Sequence, residues 1–317
     1  MHIVLLEPLG IPEARVRELA AGLEASGHTF TYYSTRTEED EELIERSKGA
    51  QVLLISNLPL NRRVIEACQS LELISVAFTG VDHVDLAACR ERDIRVCNAA
   101  GYSTHAVAEL AFGLAIAVLR RLVPCDKVTR AEGTKNGLIG YELYGKTFGI
   151  VGTGAIGLKT AGIAKAFGCR VLAYSRSQKQ EAADSGIEYT DLDTLLQESD
   201  IVSLHVPLTG ETRQLIDARR LGLMKPGAVL INTARGPVVD NAALAQALHE
   251  GKLGGAGIDV YEMEPPVPAD HPLVGAPNTV LAPHVAFATH EALDTRAQIV
   301  FDNVEKWLTA APQNVVC

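Results

Sequence analysis

Four short segments carry side chains or glycines whose types and spacing could do chemistry. Arg235 sits in Asn232-Thr233-Ala234-Arg235-Gly236, Glu262 and Glu264 follow Asp259 just ahead of Pro265, and His284 follows Pro283. A guanidinium grips a carboxylate as a planar fork, a task lysine performs poorly. An imidazole titrates near neutrality and can give or take a proton, and a carboxylate bonded to its other nitrogen fixes its tautomer. Such a set could hold a small organic acid and move a proton on it. The fourth segment, Gly152-Thr-Gly154-Ala-Ile-Gly157, has the spacing of a pyrophosphate turn. Its first glycine allows the tight turn, the second a close backbone approach and the third close helix packing. A structural glycine turn is the plainer reading of that spacing alone. Here it follows an apolar strand directly and opens a helical stretch, which favours a dinucleotide site.

The elements that must position these residues are legible as alternating apolar runs and helical spacing. Runs at 147–151, 170–174, 200–204, 228–232, 256–259 and 279–282 predict six strands with crossover segments, the pattern of a doubly wound parallel sheet. Arg235, the two glutamates and His284 all follow strands of this set. They therefore lie at carboxyl ends, the edge where open α/β sheets bind ligands. An earlier set at 2–6, 52–56 and 73–78, separated by helical stretches at 13–25 and 39–47, predicts a second parallel sheet. The acidic run Glu38 to Glu42 falls where one of those helices begins, which suits the positive end of its dipole. A long helix after Tyr102, with Ser103 or Thr104 as N-cap, links the two sets, and an amphipathic helix at 291–308 ends the chain.

With 317 residues the chain is too long for one ordinary core and suits two domains. A net charge of -10 argues against nucleic acid and anionic membrane surfaces as partners. The six cysteines, Cys68, Cys89, Cys97, Cys125, Cys169 and Cys317, form no C-x-x-C pair, so reduced thiols in a cytoplasmic protein are expected. Residues 1–10 lack a basic leader and read as a first strand rather than a signal peptide. The apolar stretch 106–119 is too short for a bilayer and reads as a buried helix between layers or at a subunit contact. Asp82-His83-x-Asp85 reads as helix-start capping, and no metal is expected. His2, His28, His249, His271 and His290 have no matched partner and are assigned surface or helix-end roles, whereas His205 ends a strand and packs beside the cofactor.

A dinucleotide site that prefers NAD places Asp or Glu about 20 residues beyond the glycines, on the ribose 2′-hydroxyl. This sequence has Tyr174-Ser175-Arg176-Ser177 there. Arg176 and its hydroxyl neighbours could hold a 2′-phosphate by charge-assisted bonds, which favours NADP over NAD. A solvated loop arginine is the alternative.

Taken in order, T-G-A-I-G, H-V-P-L-T, N-T-A-R-G, D-V-Y-E-M-E-P and A-P-H, with Gly101-Tyr-Ser-Thr-His-Ala-Val-Ala-Glu109 ahead of them, resemble the D-2-hydroxyacid dehydrogenase family over nearly the whole chain. The resemblance implies hydride transfer between NAD(P)(H) and carbon 2 of a small acid of the glyoxylate, hydroxypyruvate or pyruvate class. It implies that Arg235 holds the substrate carboxylate, His284 exchanges the proton and Glu264, placed just before Pro265, orients His284, with Glu262 as the competing carboxylate. Thr79, Gly80 and Tyr102 would meet the substrate. Thr104, Gly152, Gly154, Ala155, Ile156, Gly157, Ser175, Arg176, Val206, Pro207, Thr233, Ala234, Asp259 and Ala286 would surround the cofactor, Asp259 near the nicotinamide amide. The implied fold is α/β, a Rossmann-like dinucleotide-binding domain at 99–286 and a smaller flavodoxin-like substrate domain from 1–98 plus 287–317, in a homodimer. After His284 this chain departs from the Gly-Gly or Gly-Ser pair of many relatives and has Val285-Ala286-Phe287-Ala288-Thr289. That run is similar to D-lactate dehydrogenases, whereas Ser-Arg-Ser is similar to NADPH-dependent glyoxylate or hydroxypyruvate reductases. An NAD(H)-sensing interaction protein of the corepressor type is the alternative function on the same fold.

Overall fold

The computed structural model describes residues 1–317. They divide into two compact units, Met1–Tyr102 with Ala288–Cys317, and Ser103–Phe287.

The first unit alternates β1 (His2–Leu5), α1 (Glu13–Ala25), β2 (Thr29–Tyr32), α2 (Asp40–Arg46), β3 (Val52–Ile55), α3 (Arg62–Ala67), β4 (Leu73–Val76), α4 (Leu86–Glu91) and β5 (Arg95–Cys97). Its five strands are all parallel, in the order β2-β1-β3-β4-β5, which is the flavodoxin-like winding. Both faces are covered. Ile3 and Leu5 join one apolar cluster, and Val4 and Leu6 the other. That two-sided burial is why β1, β3 and β4 read as continuous apolar runs. The sheet's two edge strands escape that reading: β2 is Thr-Phe-Thr-Tyr with no fully buried residue, and β5 has three residues.

The second unit begins with α5 (Thr104–Leu119) and α6 (Leu122–Arg130), then β6 (Thr147–Val151), α7 (Ala155–Ala166), β7 (Arg170–Tyr174), α8 (Gln180–Asp184), β8 (Glu188–Tyr189), α9 (Leu192–Glu198), β9 (Ile201–Leu204), α10 (Ala218–Leu221), β10 (Val229–Asn232), α11 (Asn241–His249), β11 (Gly255–Ile258) and β12 (Thr279–Leu281). The seven-stranded parallel sheet runs β12-β11-β10-β9-β6-β7-β8. It has one strand more than the six expected, and the addition is again an edge strand, two residues long. Winding reverses between β6 and β9, so the turn after β6 opens at the switch point where such sheets bind ligands. Helix α5 packs inside this unit. Phe112 stacks on Phe148 of β6 at 5.2 Å between ring centroids, and Ala111, Leu114, Ala115 and Val118 are buried, so its uniform apolarity serves a layer contact.

The chain ends in α12 (His290–Leu308), which belongs to the first unit. Its buried Ala297, Val300, Phe301 and Val304 join the cluster of Ile3, Leu5 and Val52. Thr289 caps α12 and Asp85 caps α4 through side-chain oxygens that accept N–H bonds three residues on. Ser103 occupies the N-cap of α5 but makes no such bond. No helix is long and apolar enough to cross a membrane.

Candidate functional site

The glycine turn between β6 and α7 is built for close approach. Gly152 takes φ +101°, a left-handed value that favours glycine. A Cβ on Gly157 would fall on the Gly152 carbonyl oxygen, so only glycine lets α7 start this close to the strand. Ala155 and Ile156 form the helix's first turn, whose free N–H groups and dipole suit a phosphate. Beside the turn lies a cavity of about 220 Å³ whose wall includes Gly152, Gly154, Ser175, Arg176, Val206 and Pro207. Thr104, Ala155, Ile156, Thr233, Ala234, Asp259 and Ala286 are not part of that wall. The turn fits the pyrophosphate of a dinucleotide: Gly152 and Gly157 leave no room for a Cβ, and the first turn of α7 offers its free N–H groups beside the cavity.

Two residues here were not legible in the sequence. Tyr189 of β8 donates its hydroxyl to Thr153 Oγ1 at 3.1 Å, bracing the turn. Glu211 meets Arg176 at 3.2 Å, with both side chains about three-quarters exposed. The pair is 35 residues apart in sequence, so no local pattern announces it. His205 lines the cavity with Nε2 bonded to Ser203 Oγ at 2.9 Å, and burial pushes its pKa down to about 4.

At the carboxyl ends of β10, β11 and β12, three loops are tied together. Asn232 closes the first, donating to the Arg235 carbonyl at 3.0 Å and accepting from the Ala234 N–H at 3.0 Å. Arg235 is extended, and its Nη1 donates to the Ala234 carbonyl at 2.8 Å. Gly236 follows it, and a Cβ there would strike the Tyr261 backbone, so the Arg235 loop lies directly on the loop that carries the glutamates.

Asp259 joins the other two loops. Fully buried, it accepts from the Val285 and Ala286 N–H groups at 2.8 and 2.9 Å, and its carbonyl accepts from the His284 N–H at 2.8 Å. Burial raises its pKa and those bonds oppose the rise. Its carboxylate thus clamps the loop that presents His284, which stands in the left-handed region at φ +58°. Tyr261 adds a second tie, donating to the Ala282 carbonyl at 3.1 Å.

His284 Nδ1 lies 2.8 Å from Glu264 Oε2, which leaves Nε2 to face a ligand. Phe287 packs edge-on to the imidazole, 5.7 Å between centroids. Glu262 turns elsewhere, its Oε2 lying 3.0 Å from His271 Nε2. The expectation of a surface or helix-end role for His271 is therefore corrected: the residue is 7% exposed, and its Nδ1 accepts from the Leu273 N–H. Nothing in the eight intervening residues marks them as partners, because the loop's path decides which carboxylate meets which ring.

In the first unit, Thr79 and Gly80 form the turn after β4 and Tyr102 is buried. Asn98 donates to the Thr79 carbonyl at 2.8 Å, and Asn303 of α12 donates to the Asn98 carbonyl at 2.9 Å. Phe78 and Tyr102 meet edge to face at 6.1 Å.

The model of the D-isomer specific 2-hydroxyacid dehydrogenase, NAD binding domain, matches residues 112–286. The glyoxylate reductase of Thermococcus litoralis is 44% identical over 268 residues, 82% of this chain and 80% of that one. Among solved structures, an acyclic imino acid reductase in complex with NADPH and D-Arg superposes with a TM-score of 0.90 at 30% identity, covering 100% of both chains. D-lactate dehydrogenase from Aquifex aeolicus, complexed with NAD and lactic acid, superposes with a TM-score of 0.85 at 30% identity, covering 100% of this chain and 99% of that one. This chain belongs to the D-isomer specific 2-hydroxyacid dehydrogenase family.

Proposed function

We propose that this protein is an NADPH-preferring reductase of glyoxylate and hydroxypyruvate. The reaction class, hydride transfer between NAD(P)(H) and a small D-2-hydroxy or 2-oxo acid, follows from the family. The observation that carries the catalytic reading is the bond from His284 to Glu264, with Asp259 clamping the two residues after His284. Bound NAD(P)H would supply the hydride, and every other role falls to side chains. Glu264 holds the proton on Nδ1 and steadies the imidazolium, and Nε2 of His284 gives its proton to the carbonyl oxygen. Arg235 holds the substrate carboxylate as a fork. Thr79, Gly80 and Tyr102 are the further residues proposed to meet the substrate.

Gly152, Gly154, Gly157, Ala155 and Ile156 would hold the pyrophosphate, and Ser175 and Arg176 a 2′-phosphate. Arg176 in the cavity wall, with no carboxylate among residues 174–177, supports NADPH. Thr104, Val206, Pro207, Thr233, Ala234 and Ala286 complete the proposed cofactor contacts. A second reading, pyruvate as substrate, is favoured by Phe287 beside His284, since an apolar ring suits a methyl group.

A homodimer belongs to the same proposal. Helix α6 buries none of its residues, and Leu122, Val123, Tyr141, Tyr144 and Phe167 are exposed, an apolar surface of the kind that marks an interface. A sedimentation coefficient of a monomer at micromolar concentration would remove it.

The test is the initial rate of NADPH and NADH oxidation with glyoxylate, hydroxypyruvate and pyruvate, repeated with Arg235→Ala and His284→Ala. Turnover abolished by both substitutions supports the site, and the cofactor ratio reads Arg176. Cofactor binding without turnover of any acid would refute the reductase reading and favour the sensor.

A further inference from the structure

The carboxyl edge of the first unit's sheet holds a buried cation that the reading above leaves unused. Arg296, on the second turn of α12, is 4% exposed. Its guanidinium lies 4.9 Å from the centroid of Phe78 and 5.9 Å from that of Tyr102. Nη2 donates to the Leu9 carbonyl at 2.7 Å, and Gly10, at φ +75°, follows in the same turn. Burial lowers its pKa while Tyr102 and Glu7 act the other way, and a guanidinium stays protonated in proteins. Glu7 also makes bonds of its own. Its Oε1 accepts from the Ser56 and Leu58 N–H groups at 2.7 and 2.8 Å, and its Oε2 pairs with Arg36.

A buried charge is costly, and the two ring faces and the Leu9 carbonyl help to offset that cost. The rings that Arg296 holds are not arbitrary. Phe78 immediately precedes Thr79 and Gly80, and Tyr102 is the third residue assigned to the substrate.

We propose that Arg296 is a positioning residue for the 2-oxo acid: it fixes the rings of Phe78 and Tyr102 and keeps a positive charge behind the turn that receives the substrate. The inference rests on the proposed substrate role of Thr79, Gly80 and Tyr102. In the interior such a charge acts over several ångströms, so its effect falls on binding of the acid. The glycine turn and cavity assigned to the cofactor are built entirely from the second unit, so cofactor affinity is the internal control.

Full-length Arg296→Met and Arg296→Lys are compared with the parent protein in steady-state NADPH oxidation with glyoxylate and hydroxypyruvate. NADPH binding by fluorescence and thermal unfolding are measured alongside. The methionine variant is expected to raise KM for both acids about tenfold, with kcat within about threefold and NADPH Kd within about twofold. Lysine keeps the charge without the planar stack and is expected to recover part of the lost KM. If the methionine variant does not fold, the lysine variant carries the test, with KM raised about threefold at unchanged Kd. An unchanged KM would overturn the proposal, as would losses in kcat, KM and Kd that move together and that lysine does not relieve. A parent protein that binds NADPH yet turns over neither acid refutes the substrate reading itself, whereas turnover indifferent to position 296 refutes this inference alone.

Discussion

Two glutamates stand two residues apart in one loop, each facing a histidine at hydrogen-bond distance, and replacing each with alanine separates catalysis from stability. The Glu262 pair is the less open of the two, with the side chain of His271 5% exposed and that of Glu262 41%. Glu262→Ala leaves the His271 N–H without its acceptor in the interior, a cost of about 1–3 kcal/mol. The Glu264 pair is open, with the His284 side chain 24% and the Glu264 side chain 70% exposed. Water replaces the lost carboxylate there, so Glu264→Ala costs under about 0.5 kcal/mol of stability. In catalysis the order reverses. On the proposed roles, the imidazole without Glu264 loses its tautomer and its orientation, and kcat is expected to fall about a hundredfold. Glu262→Ala keeps kcat within about threefold while the protein stays folded. Urea unfolding of the two variants and their steady-state rates at pH 7 read both quantities. A Glu262 variant that lost rate like the Glu264 variant would refute the assignment, as would a Glu264 variant that lost stability without losing rate.

Further expectations concern the cofactor turn and cavity. His205 has a folded pKa of about 4, below the ordinary imidazole value of about 6.5. The unfolded chain therefore takes up the proton first as pH falls, and stability fully present above about pH 6.5 is lost down to about pH 4, by about 3 kcal/mol. His205→Gln keeps a partner for Ser203 and removes this loss; comparing urea midpoints at pH 7 and pH 4.5 checks it, and an acid loss equal to the parent's sinks it. Gly157→Ala drives a methyl group into the Gly152 carbonyl, so thermal unfolding should show a loss of about 1–3 kcal/mol, with NAD(P)H affinity at least about tenfold weaker in fluorescence titration. The exposed Arg176–Glu211 pair contributes little to stability. Glu211→Gln should release Arg176 and tighten NADPH about threefold with NADH unchanged, and Arg176→Ala should erase any difference between the two. Equal tightening of both cofactors would show that Arg176 does not read the 2′-phosphate.

By itself the sequence determined which residues stand at the carboxyl ends of the second unit's strands. Arg235, Glu264 and His284 each follow an apolar run; β10 and β11 are buried throughout and have no other way to be written, whereas β12 is a half-buried edge strand that was legible all the same. The glycine spacing was legible for the same kind of reason, since Gly157 stands where a Cβ has no room. Edge strands β2, β5 and β8 were not legible, because a strand with one neighbour and a partly solvated face needs no continuous apolar run. Only the tertiary structure decided the pairings. It joined His284 to Glu264, the partner that the resemblance had implied, gave His271 to Glu262, set Glu211 on Arg176, and turned the Asp259 carboxylate onto two backbone N–H groups 26 and 27 residues away. It also buried Arg296 against two aromatic rings. Periodicity reports which face of an element is covered, whereas a pair between loops depends on where each chain leaves its strand and how far it bends before its side chain finds a partner.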